Sequence, residues 1–271
     1  MRATRAVRPL PFLGALLLLG LLSGCAGDRP PASGLESLRS SAHAAETAPA
    51  SDDEVLSQYE SVMRVAERTD NERDRAIAVG LYQRAHEIDP SQAEPLLHLV
   101  TFYEETGQPA QVTEAYRRLV EIDPKNPEYQ LRYGLQLLHA DQPYRARDHF
   151  LTAAALQPDV RSLNATGVTY DMTGDRKAAQ VYYRRALKLE ADYLPARGNL
   201  GLSLALSGNY PAAIALLEET AAMPDAGPAH RRMLATAYGL AGDMAAAKRV
   251  AGEDFDGQSL AENLEFYGAA D

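Results

Sequence analysis

Three segments of the chain end alike: LYQRAHEIDP (81–90), AYRRLVEIDP (115–124) and HFLTAAALQP (149–158). Their prolines, Pro90, Pro124 and Pro158, stand 34 residues apart. A fourth segment, YYRRALKLEA (182–191), keeps the frame with Ala191 in the proline's place. A unit this short cannot enclose a core alone, so each must bury its apolar side against the next, and the chain is constrained to a stack. Gly107, Gly174, Gly208 and Gly242 fall where a turn needs permissive backbone. Gly134, Gly167 and Gly201 fall inside first helices, where a missing side chain lets a neighbouring helix approach. Ala146, Ala179, Ala213 and Ala247 mark the close contact on second helices, and Tyr82, Tyr116, Phe150 and Tyr183 fill a larger hole one turn later. Each terminal proline stops its helix and starts the next unit.

This period, with small and large residues so placed, is that of the tetratricopeptide repeat, two antiparallel helices per unit. The frame predicts repeats at 59–92, 93–126, 127–159, 160–193, 194–227 and a weaker one from 228. The fold class is therefore all-α, a right-handed superhelix of about six helix pairs. The first repeat is degenerate, since its turn (Thr69–Asp74) lacks glycine and is densely charged, as suits a terminal cap. The ending SLAENLEFYGAAD (259–271) is expected to form a closing helix with Leu260, Leu264 and Tyr267 inward.

Ahead of the repeats, Arg2, Arg5 and Arg8 precede the first acidic residue, Asp28. The apolar run LPFLGALLLLGLL (10–22) rises about 20 Å as a helix, well short of the ~30 Å hydrocarbon core. A positive start and a short apolar segment form the pattern of a secretory signal peptide. The sequence that follows, Leu22-Ser23-Gly24-Cys25, resembles a bacterial lipobox, and Cys25 is the one cysteine in the chain. That resemblance implies cleavage after residue 24 and acylation of Cys25. Ala26, rather than Asp, follows the cysteine, which under the sorting rule of such lipoproteins implies the outer membrane, with the body facing the periplasm. Several acyl chains anchor stably where one does not. Loss of residues 1–24 removes three Arg and no acid, taking the net charge from −10 to −13. Residues 25–53, rich in Ala, Ser and Pro, read as the lipidated cysteine and a flexible tether of roughly 30 Å root-mean-square span. The repeat domain then occupies 54–271.

The chain is 46% hydrophobic and 24% charged, which excludes a mostly disordered chain. With 27 Lys and Arg against 37 Asp and Glu, it also lacks the cationic surface that nucleic acid requires. Six scattered histidines form no metal-ligand spacing, although His139 and His149, on the two helices of one repeat, leave a shared site conceivable. There is no phosphate loop and no nucleophile elbow. The expectation is a chain that is not an enzyme and takes no cofactor or metal. A repeat array instead offers a groove lined by successive first helices. On this frame its lining includes His98, Thr101, Arg132, Leu135, Asn164, Val168, Asn199, Leu202 and Arg232, with Asn and Arg to hold a peptide backbone or carboxylate and Leu and Val to supply apolar pockets. Protein partners are expected there.

With lipobox and repeats together, the chain resembles the tetratricopeptide lipoproteins of the tight-adherence (Tad/Flp) pilus assembly system. LNATGVTYDMTGDRKAAQVYYRRAL (163–187), NLGLSLALSGNYPAAIALLEE (199–219), ATAYGLAGDMAAAKRVAGEDF (235–255) and the closing AENLEFY (261–267) carry the resemblance. It implies an outer-membrane scaffold that binds the Tad secretin or its neighbours while the channel for Flp pili is built, serving adherence and biofilm formation. A tetratricopeptide pilotin of type IV pili, with similar architecture and another client, is the nearest alternative. A periplasmic adaptor that recruits cell-wall enzymes is a second.

Overall fold

The structure, a computed structural model, describes residues 51–71 and 74–252. The signal segment, Cys25, nearly all of the tether and the expected closing helix lie outside the described residues. Among the described residues there are twelve α-helices and no strand. In chain order they are α1 (Asp52–Thr69), α2 (Arg75–Ile88), α3 (Glu94–Glu105), α4 (Pro109–Ile122), α5 (Pro127–His139) and α6 (Pro143–Leu156). The second half continues with α7 (Val160–Met172), α8 (Arg176–Leu189), α9 (Leu194–Leu206), α10 (Tyr210–Ala221), α11 (Pro228–Leu240) and α12 (Met244–Ala251). Odd-numbered helices are the first of each pair, and every helix packs on its partner and on its successor in the chain. Short connections make each such pair antiparallel.

Local sequence explains most of the ends. Pro109, Pro127, Pro143 and Pro228 open α4, α5, α6 and α11, where proline's missing N–H is no loss and its fixed φ suits the helix. Asn126, Asp159, Asp175 and Asp243 accept backbone N–H bonds as N-caps. Ser51 and Glu54 form a reciprocal capping box, so α1 begins at Asp52, ahead of the frame's start at Tyr59. Second helices end on extended residues: Asp89 (φ −132, ψ 92), Asp123 (φ −133, ψ 86) and Gln157 (φ −148, ψ 103). A following proline forces such a geometry. Glu190 adopts it too (φ −144, ψ 100) with Ala191 next, so proline is sufficient for this bend and not required.

The turn between paired helices needs positive φ, found at Gly107 (66°), Gly174 (86°), Gly208 (78°) and Gly242 (86°). In the third unit the same place is held by Asp141 at φ 55°, a substitution for glycine that the frame did not mark.

Inside each pair the packing is small against large. A Cβ on Gly134 would lie 2.5 Å from Phe150 Cε1, on Gly167 2.4 Å from Tyr183 Cε1, and on Gly201 2.4 Å from Leu217 Cγ. The helix admitted by each glycine is thus its own partner rather than the next repeat. Ala146, Ala179, Ala213 and Ala247 are fully buried, as their assigned contact demands. Tyr82, Phe150 and Tyr183 are among the largest fully buried side chains. A half-buried carboxylate joins units: Asp171 accepts from Tyr183 Oη at 2.9 Å and from Ser203 Oγ, on the next first helix, at 2.8 Å. Burial raises the Asp171 pKa, against the pull of those two bonds.

Candidate binding face

Successive first helices from α5 onward are neighbours, since α5 touches α7, α7 touches α9 and α9 touches α11. Thr101, Leu135, Val168 and Leu202 occupy the same place on α3, α5, α7 and α9. Thr101 is exposed and bonds back to the Leu97 carbonyl at 3.2 Å; the three apolar residues are half-buried. They form a row of partly covered aliphatic groups on one face of the stack.

The polar residues assigned to the groove divide differently. His98, Arg132 and Asn199 share one place in the unit, where the fourth unit has buried Ala165 and the sixth has Met233. Asn164 and Arg232 sit one residue earlier. Asn199 Nδ2 donates to Asn164 Oδ1 at 3.0 Å, so these two amides tie α7 to α9 and present only their remaining atoms. Arg232 is exposed, while Met233 turns toward α9, its Sδ 2.8 Å from where a Cβ on Gly198 would stand. His98 stacks on Tyr82 with centroids 4.3 Å apart and planes 5° from parallel, and its Nδ1 is 3.8 Å from Asp70 Oδ2. That packing is an inter-repeat contact.

Arg132 belongs to an ion network that the frame did not mark. Its Nε is 2.7 Å from Glu128 Oε1, and Arg161 Nη2 on the next first helix is 2.8 Å from Glu128 Oε2. Burial works against ionisation of Glu128, but the bonds from both arginines hold its carboxyl below the ordinary value. The signal was in the sequence: Glu128 and Arg161 stand one unit apart.

A cavity of about 420 Å³ lies on the other side, between α2, α3 and α4, and includes Gln83, His86, Glu87, Leu99, Tyr103 and Arg118. Arg118 Nη1, a pure donor, is 3.0 Å from His86 Nε2, which must therefore accept; the imidazole carries its proton on Nδ1, a buried atom with no partner. Burial, then the Arg118 charge, push the His86 pKa down. Burial and Arg145 do the same for His149, whose Nδ1 bonds Gln130 Oε1 at 2.7 Å. That bond places His149 more than two helical turns from His139 along α5, so these two histidines do not meet. Among the described residues no group of three or more His, Cys, Asp or Glu is placed to hold a metal, and no helix is long and apolar enough to cross a membrane.

The twelve helices form the stacked antiparallel pairs of a tetratricopeptide-repeat fold. Family models for the tetratricopeptide repeat match residues 72–136 and 160–193. The uncharacterized protein y4yS of Sinorhizobium fredii (strain NBRC 101917 / NGR234) is 30% identical over 125 residues. That alignment covers 46% of this chain and 65% of that protein, just under two thirds of the relative's length. Among solved structures, a tetratricopeptide repeat protein from Parabacteroides merdae aligns with TM-score 0.63 at 16% identity, over 78% of this chain and 90% of that one. PilW, described as a widely conserved type IV pilus biogenesis factor, aligns with TM-score 0.58 at 17% identity, over 76% and 98%. At such identities the likeness is one of fold.

Proposed function

We propose that this chain is a non-enzymatic, lipid-anchored scaffold of pilus assembly that holds a protein client on its first-helix face. The observation that carries the reading is the in-register row Leu135, Val168 and Leu202 on successive first helices: partly covered aliphatic surface for a client's side chains, bordered by the Arg132–Glu128–Arg161 ion network. The lipobox around Cys25 supports outer-membrane attachment with the body in the periplasm, where a secretin is assembled. The sequence resemblance to Tad/Flp lipoproteins supports the Tad secretin or its neighbours as client. The structural likeness to PilW supports a pilus role at the level of architecture and leaves a type IV pilotin as the alternative client assignment.

The test is twofold. Cys25→Ser should abolish incorporation of labelled palmitate and move the protein out of the membrane fraction; unchanged acylation refutes the anchor. Leu202→Glu with Arg132→Ala should weaken binding of purified Tad secretin by about tenfold or more while the helical circular dichroism stays as in the parent. Undiminished secretin binding by a folded variant removes the first-helix face from the proposal.

A further inference from the structure

The second-helix side of the third and fourth units carries a feature that the first-helix reading does not use. Tyr144, on α6, is 62% exposed, and the Arg147 guanidinium lies 5.4 Å from its ring centroid. The same guanidinium is 4.9 Å from the ring of Tyr170, on α7. Tyr170 stacks on Tyr182 of α8, centroids 5.4 Å apart and planes 16° from parallel. Arg185 then lies 5.0 Å from the Tyr182 centroid. The result is a continuous ladder of ring, cation, ring, ring and cation across α6, α7 and α8.

Charge makes this ladder unusual in its setting. The whole chain has a net charge of −10, yet α8 reads RKAAQVYYRRALKL, with five cations and no acid. Among the described residues neither Arg147 nor Arg185 has a carboxylate within ion-pair distance, and neither do Arg184 and Lys188. By contrast Arg117, Arg132, Arg161 and Arg197 are all paired with glutamates. A cluster of like charges without counter-charge is a cost to the folded chain, which an anionic partner would offset. The rings lie against the guanidinium groups; Arg147 Nη1 makes one long bond to Thr173 Oγ1 at 3.5 Å, and the remaining N–H groups can grip carboxylates at two points.

We propose that this ladder is a second docking surface, for an acidic, aromatic- or aliphatic-bearing segment of a protein partner. Charge complementarity selects the acid. The alternation of rings and cations selects a peptide over a lipid surface, because acidic and apolar side chains can alternate along one chain to match it. Val181 (52% exposed) and Leu189 (56%) extend α8's apolar surface for the segment's side chains. The overall negative charge repels the same segment elsewhere, so electrostatics would also set where it lands.

The experiment uses the full chain and a fluorescein-labelled twelve-residue peptide of alternating Asp or Glu with Phe or Leu, followed by anisotropy. Its Asn/Gln counterpart and phosphatidylglycerol vesicles serve as the competing probes. The acidic peptide is expected to bind and the neutral one to bind at least about tenfold more weakly. R147Q with R185Q should cost roughly a further tenfold or more, and R147K should lose most of that despite keeping its charge. Equal binding of both peptides, or full affinity in a folded R147Q/R185Q variant, overturns the proposal. Vesicle binding that the same substitutions abolish while peptide binding is absent assigns the patch to a lipid surface instead. Peptide binding that appears only after removal of residues 253–271, which carry six carboxylates and no Lys or Arg, assigns it to the chain's own C-terminal segment.

Discussion

Gly167→Ala isolates the close approach of paired helices. In a helix interior, alanine in place of glycine is worth about 1 kcal/mol in propensity, so a position with room should gain. At Gly167 the new Cβ would stand 2.4, 2.7 and 2.9 Å from Cε1, Cδ1 and Cζ of Tyr183. The ring has nowhere to go: Tyr183 is 1% exposed and its hydroxyl is bonded to Asp171. Overpacking of this kind costs 1–3 kcal/mol, and a pinned ring belongs near the upper end, so the expected net loss is about 2 kcal/mol. Gly80→Ala is the matched control, since nothing lies within 4 Å of its Cβ, and it should gain about 1 kcal/mol. Urea denaturation followed by circular dichroism at 222 nm measures both. Tyr183→Leu should cost less in the Gly167→Ala background than alone, with a coupling of at least ~0.5 kcal/mol. The first unit shows what would refute this: there buried Ala66 and buried Tyr82 hold the equivalent places, so a helix pair can be set wider. A Gly167→Ala protein as stable as the parent would mean that the fourth pair relaxes to that spacing at no cost.

Two further outcomes are expected. Asp141→Gly should stabilise by about 0.5 kcal/mol, because it relieves a left-handed conformation that other units give to glycine, whereas Asp141→Ala should destabilise by about 1 kcal/mol; urea midpoints decide both. Stability should fall as pH drops from 7 toward 5. His86 and His149 have folded pKa values below their unfolded ones, so the unfolded chain takes up more protons in that window and the native state loses ground through and below the ordinary histidine pKa. The His86→Gln/His149→Gln double variant should flatten the urea midpoint between pH 7 and 5, and an unchanged slope would refute the assignment. Asp171, whose pKa burial raises, acts in the opposite sense: its contribution is fullest below the unfolded carboxylate value and declines as pH rises through the folded one.

The helix pairs, their turns and the buried alanines were legible because each rests on residue size or backbone freedom at a fixed spacing. Asp141 escaped notice because the frame looked for glycine, although Asp and Asn also tolerate positive φ. Of the proposed binding face, only the aliphatic row was legible. Leu135, Val168 and Leu202 fell into register because apolar residues recur at one place in the unit. The polar assignments cross two neighbouring places: Asn164 and Arg232 stand one residue before Ala165 and Met233, which hold the place of His98, Arg132 and Asn199. His98 looked available in sequence and is stacked on Tyr82, a contact between units that no single repeat encodes. The ladder of Tyr144, Arg147, Tyr170, Tyr182 and Arg185 was illegible for a related reason: its members come from three helices and only the fold brings their rings together.

Glu190 turns as Asp89, Asp123 and Gln157 do, without the proline that follows those three. The seam between units is therefore written in the packing on both sides of it, and a join made elsewhere needs no special residue to bend. Such an array is open to growth by copying: duplicating 160–193 in frame would bring its own glycine, its own buried tyrosine and a self-sufficient bend. Each copy would lengthen the first-helix row by one aliphatic residue. The reach of the surface is then set by the number of units, and a lineage could alter it by recombination faster than by changing any contact.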